Sequence, residues 1–94
     1  MLKGKIEFLL DLLENTPKSS NYASEIIDAC LDIMTLTKDN DEYNKFREFD
    51  LRLSMKPFSF MLNEGIQNIE KQYWEDAISA LKFDLKSKLR QLQK

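Results

Sequence analysis

The sequence predicts an all-α protein: a compact antiparallel bundle of four to five short helices, ending in a helical hairpin over residues 58–92. Composition is the first reason. The 94 residues include no valine, two glycines and two prolines, which leaves an all-β domain without its β-branched runs and turn residues. The second reason is that apolar residues recur in steps of three and four along most of the chain, the period of an amphipathic helix. The third is a change of phase. Phe58, Met61, Leu62, Ile66, Ile69 and Tyr73 share one helical face, whereas Trp74, Ala77, Ile78, Leu81, Leu85, Leu89 and Leu92 share another, about 140° away. Coiled-coil drift is only about 20° per heptad, so a single straight helix would turn half of this surface to water. A turn at residues 70–73, centred on Lys71 and Gln72, removes the conflict and places Trp74 at the elbow.

The first helix is expected over residues 2–14, on Leu2, Ile6, Leu9 and Leu13, with Phe8, Leu10 and Leu12 widening the stripe. Asn15-Thr16-Pro17 ends it, because a residue before proline is pushed out of the α region. A second helix follows over residues 22–36, carrying Ile26, Ile27, Cys30, Leu31, Ile33 and Met34 inward and Glu25, Asp28 and Asp32 outward. Its candidate caps are Thr16, Ser20 and Asn21. Thr35, Thr37 and Asp39-Asn40-Asp41 read as turn material.

Asp39 and Glu42 have the spacing of a capping box for a third helix over residues 40–54. Phe49, Leu51, Leu53 and Met55 also alternate as a strand would. The pairs Asp41–Lys45 and Glu48–Arg52, in the favourable i,i+4 order, decide for helix. Pro57 is expected to break the chain at Lys56 and open a fourth helix at Phe58. Gly65 in that helix points to a close backbone approach or an early end. Glu75 and Asp76 early in the fifth helix, with Lys86, Lys88 and Arg90 late in it, suit the helix dipole.

One domain covers residues 1–94, and a chain this short buries only about 60 to 65% of its unfolded surface. The net charge of −2 gives no overall pull toward nucleic acid or anionic lipid. The charge is unevenly spread, with a local excess of −5 over residues 21–42 and +4 over residues 79–94. Such asymmetry pairs two regions within one fold or between two copies. The single cysteine makes no internal disulfide, Glu7 and Asp11 interrupt any signal-like apolar run, and no stretch reaches the roughly 20 apolar residues of a membrane span. The expected setting is cytoplasmic and away from the membrane.

Chemistry has little to work with. There is no histidine, and Cys30 lies among Ile26, Ile27 and Met34, where a buried neutral thiol is inert. Glu25, Asp28 and Asp32 have the spacing to ligate a hard cation but read as a solvated face. Asp39-Asn40-Asp41 opens like an EF-hand loop, then fails it: Tyr43 takes the fifth position, Asn44 replaces the glycine, and Asp50 stands where a glutamate is needed. No catalytic, metal or cofactor site is expected, nor any small-molecule substrate. The C-terminal hairpin resembles one tetratricopeptide repeat at Gly65, Ala77 and Leu81. It departs from that family at Glu64, Asn68 and Leu89, and stands alone where three or more repeats are needed, so the spacing reads as general hairpin packing.

What remains is a surplus of aromatics, mostly core, from which Phe60, Tyr73 and Trp74 are the first candidates for contact with a protein partner. The expected function is therefore a small non-enzymatic protein-interaction module, a regulatory, inhibitory, immunity-like or chaperone-like subunit that binds another protein or itself. The alternative is a nucleic-acid-binding regulator using the stripe Lys82, Lys86 and Arg90 of the last helix. No helix-turn-helix or zinc pattern supports it, and nucleic acid ranks second as a partner.

Overall fold

The computed structural model describes residues 2–15, 17–39 and 51–92. Among these residues the architecture is all-α, four helices and a single 3₁₀ turn. Helix α1 spans Leu2–Glu14 and sends Leu2, Ile6, Leu9 and Leu13 inward. The Asn15 side chain donates to the Asp11 carbonyl at 3.0 Å and so caps its end. Helix α2 spans Ser20–Asp39. Its cap is Ser19, whose hydroxyl accepts the Tyr22 N–H at 3.3 Å, while its carbonyl accepts the first helical bond from Ala23. The helix outruns the expected end at Leu36 because Thr37 is buried and satisfies its hydroxyl locally, against the carbonyls of Ile33 and Met34.

Most of the expected third helix, residues 40–50, lies outside the described residues, as do the capping box and the EF-hand comparison beyond Asp39. Leu51 is not helical (φ −102°, ψ 9°), so a helix over 40–54 does not run on through it. Instead Leu51 is a buried anchor whose N–H rests on the Met34 sulfur at 3.4 Å. Helix α3 then begins at Arg52 and continues to Glu64 with Pro57 inside it. The expected break at Lys56 is therefore absent. Pro57 deprives the Leu53 carbonyl of its helical partner, and Leu53 is on the exposed side, where water can replace that bond.

The hairpin exists, but its arms and elbow differ from those expected. α3 stops at Gly65, whose φ of +91° is open to glycine and strained for other residues. A 3₁₀ turn over Ile66–Asn68 follows, the Asn68 amide capping the Glu64 carbonyl at 3.1 Å. Helix α4 then runs over Lys71–Leu92. The turn thus occupies residues 65–70 rather than 70–73, and Ile69 is buried from the connector rather than from a helical face. Glu75 and Asp76 consequently fall in the second turn of α4, paired with Lys71 and Gln72.

α1 packs on α2 and α4, and α3 on those same two helices, so the four surround one core with α2 and α4 diagonal to each other. Chain reversal is visible in the cross-links. Lys5 near the start of α1 meets Asp32 at 3.6 Å, and Ser54 at the start of α3 donates to Asp84 well along α4 at 3.0 Å. No helix among the described residues is long and apolar enough to cross a membrane.

Candidate functional site

Among the described residues, three surfaces carry exposed aromatic side chains, and each follows from the local fold. The first is the elbow. Phe60 near the end of α3 and Tyr73 in the first turn of α4 are 46% and 42% exposed, and their rings lie 5.9 Å apart at a 54° tilt. With Ile69 beneath and Glu64, Asn68 and Glu70 around them they border a shallow hollow of about 300 Å³. Gly65, the 3₁₀ turn and a hydrogen bond from the Lys18 ammonium to the Ile69 carbonyl fix this elbow.

Trp74 is not part of that patch. One residue beyond Tyr73 is about 100° further around the helix, which turns the indole inward to 4% exposure. It meets the Phe58 ring edge-on, centroids 5.6 Å apart. Such a pair contributes about 0.5–1.5 kcal/mol beyond its buried area. Trp74 is thus a core anchor inside its own chain, and the contact set reduces to Phe60 and Tyr73.

The second surface is a groove of about 650 Å³ between α1 and α2. Phe8 stands in it at 63% exposure, beside Gly4 and Ala29, with Glu25, Asp28 and Asp32 along one side and Lys5 the single base among its described lining residues. The three acids do not converge on a cation position. Among the described residues no cluster of three or more histidine, cysteine or acidic side chains is arranged to hold a metal.

The third surface is the outward side of α4, where the basic stripe divides. Lys82 is spent on Glu14, 3.0 Å away. The hydrogen bond and charge of Lys82, with a smaller contribution from Lys86, hold the Glu14 carboxyl below its ordinary range. Lys88 pairs with Asp84 at 2.9 Å. Lys86 and Arg90 remain exposed, and beside them Phe83 is 74% exposed.

Among the described residues, Phe83 and Phe8 are the surface aromatics that sequence reasoning missed. For Phe83 the signal was available: it lies about 180° from the mean direction of Trp74, Leu81 and Leu85 on the same helix. Phe8 was absorbed into a stripe wider than the face that α2 and α4 cover, which holds Leu2, Ile6, Leu9 and Leu13. Cys30 is fully enclosed, and burial first, with the Asp84 charge second, pushes its thiol up to about 12, far from the range of a nucleophile. The chain matches no protein-family model, no curated protein and no solved structure.

Proposed function

We propose that this chain is a small non-enzymatic protein-interaction module, and that the aromatic elbow is the surface that engages its partner protein. The observation that carries the reading is the Phe60–Tyr73 pair. Two half-exposed rings in contact, held on the ends of two packed helices over a buried isoleucine, offer rigid amphipathic area at small entropic cost. Aromatic anchors of this kind dominate protein interfaces. The reading also draws on the lack of histidine and on the enclosed thiol with its raised pKa, which removes the two side chains most easily turned to catalysis near neutral pH. A cytoplasmic regulatory or inhibitory subunit suits such a molecule, by analogy of class alone.

The experiment is retention of a specific protein from native lysate by the immobilised chain, repeated with Phe60→Ala and Tyr73→Ala. Each change should weaken binding by more than about 1 kcal/mol while leaving the thermal transition in place, because both rings are half in solvent. Trp74→Ala is unsuitable, since truncating a buried aromatic costs about 3–5 kcal/mol of stability. The reading falls if no protein is retained, and equally if both variants bind as the parent does. Steeply salt-dependent binding to duplex DNA, reduced when Lys82, Lys86 and Arg90 become glutamine, would favour the nucleic-acid alternative. The Lys82–Glu14 ion pair speaks against it, because it turns one of the three cations to an internal use.

A further inference from the structure

We propose that the chain also self-associates head to tail, the outward face of α4 around Phe83 in one copy seating in the α1–α2 groove of the next. The proposal rests on the reading of the molecule as a binding module, but it uses surfaces separate from the elbow. Phe83 is a knob on a low surface. Its neighbours on that side of α4 are Ser79, Ala80 and Ser87, all small, so the ring stands clear at 74% exposure. Lys86 and Arg90, three and seven residues on, lie on the same side and are exposed; Asp76, seven residues before, shares that side but accepts a hydrogen bond from the Gln72 amide at 2.8 Å, so the face carries two cations against one acid.

The groove is the complement in both shape and charge. A Cβ built on Gly4 meets nothing within 4 Å, so the absent side chain leaves open room beside Phe8. Glu25, Asp28 and Asp32 outnumber Lys5 along the walls, which favours a cationic visitor and disfavours an acidic one. An aromatic knob flanked by two cations is what this lining can take, and α4 of a second copy supplies one.

Geometry sets the mode of association. α4 is diagonal to α2 in the bundle, so its outward face points away from the groove that α2 helps to form. Knob and groove of one copy cannot meet each other, nor can two copies satisfy both at once across a single two-fold axis. The contact is therefore heterologous, and until a ring closes each assembly keeps one groove and one knob unfilled.

Sedimentation of the full chain from micromolar to millimolar concentration tests this, using Phe83→Ser to remove the knob and Gly4→Leu to fill the groove. Leucine replaces glycine in open helical space, so the second variant should fold at least as well as the parent. The parent should grow in mass with concentration and less so in high salt. Each variant alone should associate about tenfold more weakly or worse, as expected for loss of an interface anchor. An equimolar mixture should give a one-to-one dimer that grows no further, since one variant keeps its groove and the other its knob. A parent that stays monomeric at millimolar concentration overturns the proposal, as does a mixture that gives no dimer. Association lost with Phe60→Ala but kept with Phe83→Ser would assign self-contact to the elbow and overturn it as well. A monomeric chain that still retains a protein through Phe60 and Tyr73 would sink this inference and leave the proposed function standing.

Discussion

Cys30 shows how far a single residue is governed by its surroundings. Enclosed by α2 and the core, its thiol ionises only near pH 12 where an ordinary one does so near 9.0, through burial first and the Asp84 carboxylate second. Between these values the unfolded chain has released a proton that the folded chain retains, so the folded state binds more protons and stability falls as pH rises. This contribution is fully present below about pH 9, the ordinary value, and is lost by about pH 12. Denaturant melts from about pH 8 to about pH 10 should therefore show a steeper decline for the parent than for Cys30→Ala, whose cavity cost does not change with pH. Parallel slopes would mean that the thiol is not enclosed. In native buffer at neutral pH a thiol reagent should label Cys30 only as fast as the chain opens, and immediate labelling would contradict the burial.

At the scale of elements, the decisive positions are the helix ends, and the two glycines make the point in opposite directions. Gly65 adopts φ +91° at the end of α3, and a Cβ there would meet only the Asn68 amide at an ordinary 3.4 Å, so the obstacle to a side chain is backbone strain. Gly65→Ala should lower stability by about 1–3 kcal/mol. Gly4 sits inside α1 with open space around it, and Gly4→Ala should raise stability by up to about 1 kcal/mol. Thermal melts of the two variants check the pair, and equal shifts of the same sign would contradict the elbow geometry. Sequence periodicity located α1 fully and the reversal between α3 and α4 approximately, because both depend on which face each apolar residue shares. It misplaced the elbow by several residues because Ile66 and Ile69 fit the helical stripe by number while entering the core from a turn. Pro57 misled for a related reason. A proline inside a helix loses one backbone bond and crowds the carbonyl four residues before it, a cost more easily borne where that carbonyl faces water, and sequence alone does not reveal that Leu53 is exposed. Of the candidate contacts, Phe60 could be read from its position off the stripe. Tyr73 and Trp74 already fall on different faces by sequence, and Trp74 shares its face with Ala77, Leu81 and Leu85 of the core; only the structure shows that its own chain encloses it, leaving Tyr73 in solvent.

For the whole molecule, the question is whether the elbow that carries the proposed partner site is a unit of its own. The contacts argue that it is not. Trp74 at the elbow packs on Phe58 of α3, Lys18 from the α1–α2 connector holds the Ile69 carbonyl, and α1 braces α4 through Glu14 and Lys82. Opening the hairpin therefore exposes the core that α1 and α2 also share, and a chain of 94 residues has no second core to fall back on. Unfolding should accordingly be a single cooperative transition. Trp74 is the sole indole, so its fluorescence reports the elbow, while far-ultraviolet circular dichroism reports all the helices together. The two signals should trace the same curve in denaturant, and iodide should quench the native indole far less than free tryptophan. A fluorescence change that precedes the loss of helicity would show the elbow opening while the other helices persist. In that case partner binding at Phe60 and Tyr73 would be coupled to ordering of the hairpin. If the curves coincide, the patch is presented ready-formed, and a bound partner should raise the whole transition by mass action rather than sharpen one part of it.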